Sequence, residues 1–203
     1  MVMRTIAATS VWLAFAFSGS DAVAAVSCHD ISTVDFRNLV IPAATYSGKP
    51  YYGGSFNGPG PGGPLRLRNG VFYQWDGGER DKNDRKPDWE TSIQRDVLLH
   101  AAGSDAIRVI VLDQVHQTGT GSFMYVFAFQ CDAGSLKKVF EGSGQGVKLE
   151  RATANGMDIT VGVWGDNDAH CCPGRQEHLR YRWVPSLKRF VRESSKAACP
   201  WLP

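Results

Sequence analysis

Two stretches of this sequence are apolar at almost every position, which limits how the chain can fold. Residues 107–112 are almost all apolar and β-branched, and apolar side chains fill both alternating sets of positions from Phe123 to Cys131. Successive side chains of a strand point to opposite faces, so strands of this composition are buried on both faces. A sheet with this much apolar surface must pack against another sheet or close into a barrel.

Shorter stretches with alternating apolar residues surround these two. They lie at 65–67, 71–75, 157–163, 179–183 and 187–191. Turn signals separate many of them, at Asn69-Gly70, 132–135, 142–146 and Asn155-Gly156. Strands joined by short Gly-rich turns predict a mainly β chain, an antiparallel meander of about nine strands forming a β-sandwich or a partly open barrel. Residues 31–40 are expected to add a short helix or an edge strand.

Composition excludes two classes of protein. The 203 residues carry a net charge of +2, with 43% hydrophobic and 21% charged residues. A disordered chain would be poorer in apolar residues and more strongly charged. A typical nucleic-acid-binding protein would have a larger basic excess, so we expect no nucleic-acid partner.

The N-terminus has the three regions of a secretory signal peptide in the expected order. Arg4 supplies the positive region, Ile6–Phe17 is largely apolar, and Ala22-Val23-Ala24 fits a small-x-small cleavage site. The apolar run is shorter than the roughly 20 residues that a membrane span needs. We therefore predict a signal peptide at 1–25, a single secreted β-domain at 26–203 and no transmembrane span in the mature chain.

Lipidation of Cys28 is the alternative form of export. The residues before it, Ala25-Val26-Ser27, form a poor lipobox, because a large aliphatic residue is usual where Ala25 stands. We therefore favour a free periplasmic or secreted protein over a lipid-anchored one.

All five cysteines lie in the predicted mature chain, where an oxidising compartment would permit disulfides. Cys28 and Cys199 flank the domain, and chain termini are often close together. We expect a Cys28–Cys199 bond first, and a bond from Cys131 to Cys171 or Cys172 second. The odd number leaves at least one thiol unpaired in a monomer.

The turn at residues 165–173 contains the least common motif in the chain. His170, Cys171 and Cys172, with His178 nearby, are possible ligands for zinc or copper(I). Adjacent ligands do not easily occupy neighbouring tetrahedral corners, and disulfide formation competes for the same cysteines. Metal binding here is therefore the alternative, and we predict no resident cofactor.

One loop and one basic cluster are candidate binding regions, and a second, charged loop is expected to be solvated. Residues 48–64 are rich in Gly and Pro and carry Tyr51, Tyr52 and Phe56, and residues 79–90 form a loop of mixed charge. Near the C-terminus, Arg180 and Arg182 could line an exposed sheet face and bind an anion. A solvated face and aromatics folded back onto the core are the simpler interpretations.

The sequence has no recognisable catalytic motif. His100, His116, His170 and His178 do not lie in a G-x-S-x-G, S-x-x-K or H-E-x-x-H pattern. We therefore do not expect the protein to be an enzyme.

Six short segments between about 97 and 191 resemble exported bacterial proteins of the LppP/LprE lipoprotein type. They are Ala106–Leu112, Gly119–Val126, Gly144–Leu149, Asn155–Val161, Cys171-Cys172-Pro173 and Tyr181-Arg182-Trp183. The resemblance implies an exported β-domain of unassigned function and supplies no catalytic residues. Related proteins often carry an acidic turn before the central strand, where this chain has Asp105 as the single acid of residues 100–105.

We therefore expect an exported, non-enzymatic binding or accessory protein of the bacterial cell envelope, whose partner is an envelope protein or a small ligand. One alternative is a periplasmic metal-binding protein that uses the His-Cys-Cys turn. Another is an inhibitor of, or immunity factor against, a secreted enzyme, acting through the aromatic loop at 48–64.

Overall fold

The computed structural model describes residues 26–41, 65–74, 87, 89–100, 106–116, 122–144, 146–163 and 174–198. Within these ranges the chain forms eleven strands and three short 3₁₀ helices. The strands are β1 (Val40–Ile41), β2 (Leu65–Arg66), β3 (Val71–Gln74), β4 (Trp89–Leu99), β5 (Ile107–His116), β6 (Ser122–Asp132), β7 (Ser135–Gly144), β8 (Lys148–Thr153), β9 (Gly156–Val163), β10 (Arg175–Val184) and β11 (Arg189–Ala198).

The described strands form three antiparallel sheets. The order is β3-β4-β5-β6-β7 in the central sheet, β11-β10-β9-β8 in a second sheet, and β1-β2 in a two-stranded ribbon. Neighbours in the larger sheets are consecutive in the chain, so both are meanders, and none of the three is closed into a barrel. This confirms the predicted sandwich, and the described residues form eleven strands where about nine were predicted.

The central sheet is buried on both faces, as the apolar stretches predict. On β5, Val109 and Val111 face the second sheet, while Ile110 and Leu112 point the opposite way; all four are at most 1% exposed. On β6, Val126 and Ala128 share the first face and Tyr125, Phe127 and Phe129 share the other.

The first core lies between the two large sheets. Met157, Ile159 and Trp183 of the second sheet pack against the β5 and β6 valines. A bulge between Ile93 and Arg95 places the exposed Arg95 on the side of the second sheet, where its Nη1 donates to the Leu149 carbonyl oxygen at 2.7 Å. At the β7 edge the Phe140 ring meets the Tyr181 ring with centroids 4.9 Å apart.

The second core lies under the N-terminal segment, which covers the other face of the central sheet. Two 3₁₀ helices, Ile31–Thr33 and Phe36–Asn38, begin after Asp30 and Asp35, whose carboxylates accept hydrogen bonds from backbone N–H groups of the first turn. Phe36 packs on Phe129 with ring centroids 5.2 Å apart. The segment 26–41 with β2 is called the N-terminal cover below. The short helices agree with the expectation for 31–40, and Val40–Ile41 adds a strand.

The cover is joined to the central sheet by a disulfide between Cys28 and Cys131, whose Cα atoms are 5.3 Å apart. The predicted Cys28–Cys199 bond, and the predicted bond from Cys131 to Cys171 or Cys172, are therefore wrong. The reason lies in backbone pairing: the Cys28 N–H donates to the Gly134 carbonyl at 2.9 Å, and Ser27 forms a bridge with Ser135. This places Cys28 beside the β6–β7 turn, where β6 carries Cys131.

The turn at Asn69-Gly70 forms as expected, because both residues have positive φ, 54° and 86°. The two strands that flank this turn do not pair with each other as a hairpin. Arg68 and Val71 form a single bridge, after which β2 pairs with β1 and β3 pairs with β4. The chain thus passes from the cover to the edge of the central sheet within this turn.

Two predicted loop boundaries are wrong. The charged loop at 79–90 ends earlier, because Trp89 and Glu90 already pair with His116 and Val115 as part of β4. The turn placed at 142–146 is shorter, because β7 continues to Gly144 through its pairing with Met124.

Candidate functional site

The exposed face of the second sheet carries two of the binding residues predicted from the sequence. Alternation along β10 turns Leu179 and Trp183 inward, while His178, Arg180 and Arg182 point to solvent. On β9, Met157 and Ile159 point inward and Asp158 lies on the solvent side beside Arg180. The face is therefore polar because of the same alternation that builds the core.

Asp158 is the centre of a row of three charges across this face. Arg151, Asp158 and Arg180 are direct cross-strand neighbours on β8, β9 and β10. The Arg180 Nε donates to one Asp158 oxygen at 2.9 Å, and the Arg151 Nε donates to the other at 3.1 Å. The hydrogen bond to Asp158 raises the pKa of the Arg180 guanidinium above its usual value. One carboxylate thus orients two guanidinium groups.

His178 lies in the adjacent row. Its Nδ1 is 2.8 Å from the Thr160 hydroxyl oxygen, and Thr160 is 3% exposed while the imidazole is open to solvent. The hydroxyl can donate to this nitrogen or accept from it, depending on the tautomer. Either arrangement fixes the ring and leaves Nε2 to face outward.

Asp158, His178 and Arg180 contribute to a shallow groove of about 280 Å³, with Ile159 and Leu179 also in its lining. Its polar walls come from Glu150, Asp158, His178, Arg180 and Ser194. Carboxylate, guanidinium, imidazole and hydroxyl groups lie together, so the groove offers both donors and acceptors. Such a surface suits a polar group on a partner better than a purely anionic one.

The C-terminal basic cluster does not form one positive face. Arg180 and Arg182 share the outer face, but a bulge between Arg180 and Tyr181 aligns Arg192 with Tyr181, whose side chain contacts the first core. Acidic partners neutralise the cations. Arg182 pairs with Glu193 at 2.7 Å, Arg192 with Glu177 at 2.7 Å and Lys188 with Asp132 at 2.5 Å. The predicted position of Arg180 and Arg182 on an exposed sheet face is therefore confirmed. Anion binding by this face stays a prediction.

Several predicted site residues lie outside the described residues. They are the signal-peptide residues 1–25, the loop residues Tyr51, Tyr52 and Phe56, the metal candidates His170, Cys171 and Cys172, and the disulfide candidate Cys199. His178 is the member of the predicted metal set that the structure describes. Among the described residues, no group of three or more His, Cys, Asp and Glu side chains is arranged to hold a metal ion.

A second polar site, which the sequence did not indicate, lies on the cover face of the central sheet. Phe72, Thr91, Gln114 and Phe123 are cross-strand partners on β3, β4, β5 and β6. They form one straight row, called the amide row below. Thr91 and Gln114 are 0% and 1% exposed, and the Gln114 Oε1 accepts a hydrogen bond from the Tyr125 hydroxyl at 2.8 Å. A Gln at an inward position after the apolar stretch 107–112 was the only sequence signal.

Comparison of the chain with protein-family models, with curated proteins and with solved structures finds no match. Across the described part of the chain, no helix has the length and apolar character needed to cross a membrane.

Proposed function

We propose that this chain is an exported, non-enzymatic binding or accessory protein of the bacterial cell envelope. Its partner docks on the exposed face of the second sheet. The observation that carries the proposal is the groove around Asp158, His178 and Arg180, in which cross-strand hydrogen bonds hold both charges and the imidazole on a rigid sheet. Side chains held in place in this way lose little conformational entropy when a partner binds.

Support for export comes from the disulfide and from the N-terminal sequence. Disulfides persist in secreted and periplasmic proteins and are rare in the cytosol. Cys28 follows the predicted signal peptide by a few residues, is 2% exposed and is bonded to Cys131. A lipid anchor would require the same sulfur, so the bond favours a protein released from the membrane. The resemblance to LppP/LprE-type proteins agrees with an envelope location.

Support for a protein partner comes from the shape and charge of the groove. It is shallow and lies on a broad sheet face rather than in a deep cleft, and it has room for a side chain or two of a partner. Its charged groups already have partners, Asp158 with Arg180 and Glu150 with Lys148, so recognition depends on matching individual donors and acceptors. Such pairing contributes to specificity more than to long-range attraction.

Cell fractionation tests the location. We expect the mature chain to start after Ala24 or Ala25 and to appear in the periplasmic or culture fraction. An uncleaved chain in the cytosol would contradict export.

In-cell photo-crosslinking tests the docking face. The photoreactive residue p-benzoylphenylalanine replaces Ser194 in the groove or, as the control, Leu187, which is 52% exposed on the turn before β11. We expect one discrete protein adduct from position 194, its loss with Arg180→Ala or Asp158→Ala, and no such adduct from position 187. The same adduct from both positions, or no adduct from position 194, would contradict the proposed face.

A further inference from the structure

The groove around Asp158 keeps hydrogen-bond donors that are not used within the fold. A guanidinium group has five N–H donors. Arg180 donates its Nε–H to one Asp158 oxygen at 2.9 Å, and Arg151 donates its Nε–H to the other oxygen at 3.1 Å. Among the described residues, the N–H groups on the Nη atoms of both arginines have no acceptor. These donors are therefore available to a partner.

The contact between His178 and Thr160 adds one more donor. Thr160 is 3% exposed, so the proton of its hydroxyl needs an acceptor. The acceptor within reach, among the described residues, is the His178 Nδ1 at 2.8 Å. A neutral imidazole that accepts at Nδ1 carries its proton on Nε2. His178 is exposed, and its outward nitrogen is therefore an N–H donor in the groove.

The acceptors of the groove are already in ion pairs. Both Asp158 oxygens accept from guanidinium groups, and Glu150 pairs with Lys148 at 3.1 Å. The groove and its ion-pair partners thus contain three cations and two carboxylates, which leaves one positive charge in excess. A group that complements this arrangement accepts hydrogen bonds and carries a single negative charge, because charge-assisted hydrogen bonds are the strong ones.

The unused donors of Arg180 and His178 lie close enough to serve one small group. The two residues are two positions apart on β10 and lie on the same face, so their Cα atoms are about 7 Å apart. The groove beside them, of about 280 Å³, has room for one acidic side chain. Both donors are held by hydrogen bonds to neighbouring strands, so they need little ordering when a partner binds.

We propose that the groove binds the carboxylate of an Asp or Glu side chain on the protein partner. One carboxylate oxygen accepts from an Arg180 Nη and the other accepts from the His178 Nε2. Asp158 is a positioning residue, because it holds the Arg180 guanidinium. A phosphate fits less well, since its charge of about −1.5 to −2 is larger than the single charge in excess. This inference rests on the docking face proposed above and names the group that the face recognises.

The test is NMR titration of the purified mature protein with three capped peptides at one pH and ionic strength. They are acetyl-Gly-Glu-Gly-amide, acetyl-Gly-Gln-Gly-amide and acetyl-Gly-Lys-Gly-amide. We expect saturable shifts of the Arg180 Nε–H and His178 imidazole resonances with the Glu peptide. The Gln and Lys peptides should bind about tenfold more weakly, because neither supplies a charged acceptor.

Two variants that each remove one charge should act in opposite directions. Arg180→Gln removes the main donor and should weaken binding of the Glu peptide about tenfold. Glu150→Gln increases the positive excess and should strengthen the same binding about twofold. Arg192→Gln is the matched control, because Arg192 pairs with Glu177 and does not line the groove. It should bind the Glu peptide as the wild type does.

Three results would overturn the carboxylate site. The first is no saturable binding of the Glu peptide, the second is equal or tighter binding of the Gln or Lys peptide, and the third is unchanged binding in Arg180→Gln. The crosslink at position 194 separates this inference from the proposed function. If the crosslink forms and the Glu peptide does not bind, the docking face stands and the carboxylate is wrong. If the Glu peptide binds and no crosslink forms, the carboxylate site stands and the protein partner is wrong.

Discussion

The two faces of the central sheet are buried in different ways. One face packs against the second sheet through apolar side chains on regularly alternating strands. The other is covered by a segment of short 3₁₀ helices and a two-stranded ribbon, which is joined to β6 by a disulfide and which leaves the amide row among aromatic rings. The second sheet is held together internally by backbone pairing between its four strands, whereas the cover consists of short elements that are tied to the central sheet at the β6–β7 turn by a few backbone hydrogen bonds and by the covalent bond.

Removal of the disulfide should have the largest effect on this difference. The bond closes a loop with a sequence separation of 103 residues. The chain-entropy model assigns about 4 to 5 kcal/mol to a loop of this size, so Cys28→Ala with Cys131→Ala should lower the free energy of unfolding by about that amount. Urea denaturation measures it. Lys137→Ala, an exposed residue of β7, is the control, and an unchanged midpoint for the double variant would show that the cover does not need the bond.

Truncation of two isoleucines on β5 should distinguish the faces. Ile107 faces the second sheet, Ile110 faces the cover, and both are at most 1% exposed. Each change to Ala should cost about 3 kcal/mol in the oxidised protein, from lost burial and an unfilled cavity.

A double-mutant cycle with the disulfide then separates the two positions. In the Cys28→Ala/Cys131→Ala background the cost of Ile110→Ala should fall, because the cover above it has loosened, while the cost of Ile107→Ala should stay the same. Equal coupling of both isoleucines to the disulfide would mean that the two cores respond as one.

The two buried threonines should respond in opposite directions to the same change. Thr160→Val removes a hydrogen bond to His178 and should destabilise the fold by about 1 kcal/mol. Thr91→Val removes a buried hydroxyl without a hydrogen-bond partner and should stabilise the fold by about 1 kcal/mol. Thermal unfolding monitored by circular dichroism measures both. A loss of stability in Thr91→Val would indicate that its hydroxyl is hydrogen-bonded in solution.

The smallest effect concerns Asp113 on the face toward the second sheet. Burial raises the pKa of this carboxyl, and its Oδ1 has no hydrogen-bond partner. Because the pKa is raised in the folded state, the ionised carboxylate destabilises the fold and the protonated carboxyl does not. The free energy of unfolding therefore falls as the pH rises above the pKa that Asp113 has in the unfolded chain. Asp113→Asn should therefore stabilise the protein at pH 7 and have no such advantage at pH 3. The urea midpoints of the wild type and of Asp113→Asn at the two pH values test this. A stabilisation by Asp113→Asn that appears only at pH 3 would contradict a raised pKa of Asp113.

Local periodicity predicted the parts of the fold that follow from alternation. The double-sided burial of β5 and β6, and the outward placement of Arg180 and Arg182, were predicted in this way. Strand β4 was not predicted, since polar residues and the bulge after Ile93 interrupt its pattern. The end of β7 was misread as a turn because Gly142 and Gly144 lie inside the strand.

Contacts between distant segments were beyond this reasoning. The disulfide was paired wrongly because the position of Cys28 is determined by its backbone bond to Gly134, more than 100 residues away. The amide row depends on strand register, which brings Thr91 beside Gln114. Alternation within one strand shows which side chains point inward but does not show which residues become neighbours.

Non-reducing peptide mapping by mass spectrometry tests most directly whether the N-terminal cover is bonded to the central sheet. The account predicts a peptide pair that joins Cys28 to Cys131 in the protein isolated from the periplasm. A Cys28–Cys199 pair, a free Cys28 thiol or a lipidated Cys28 would contradict it.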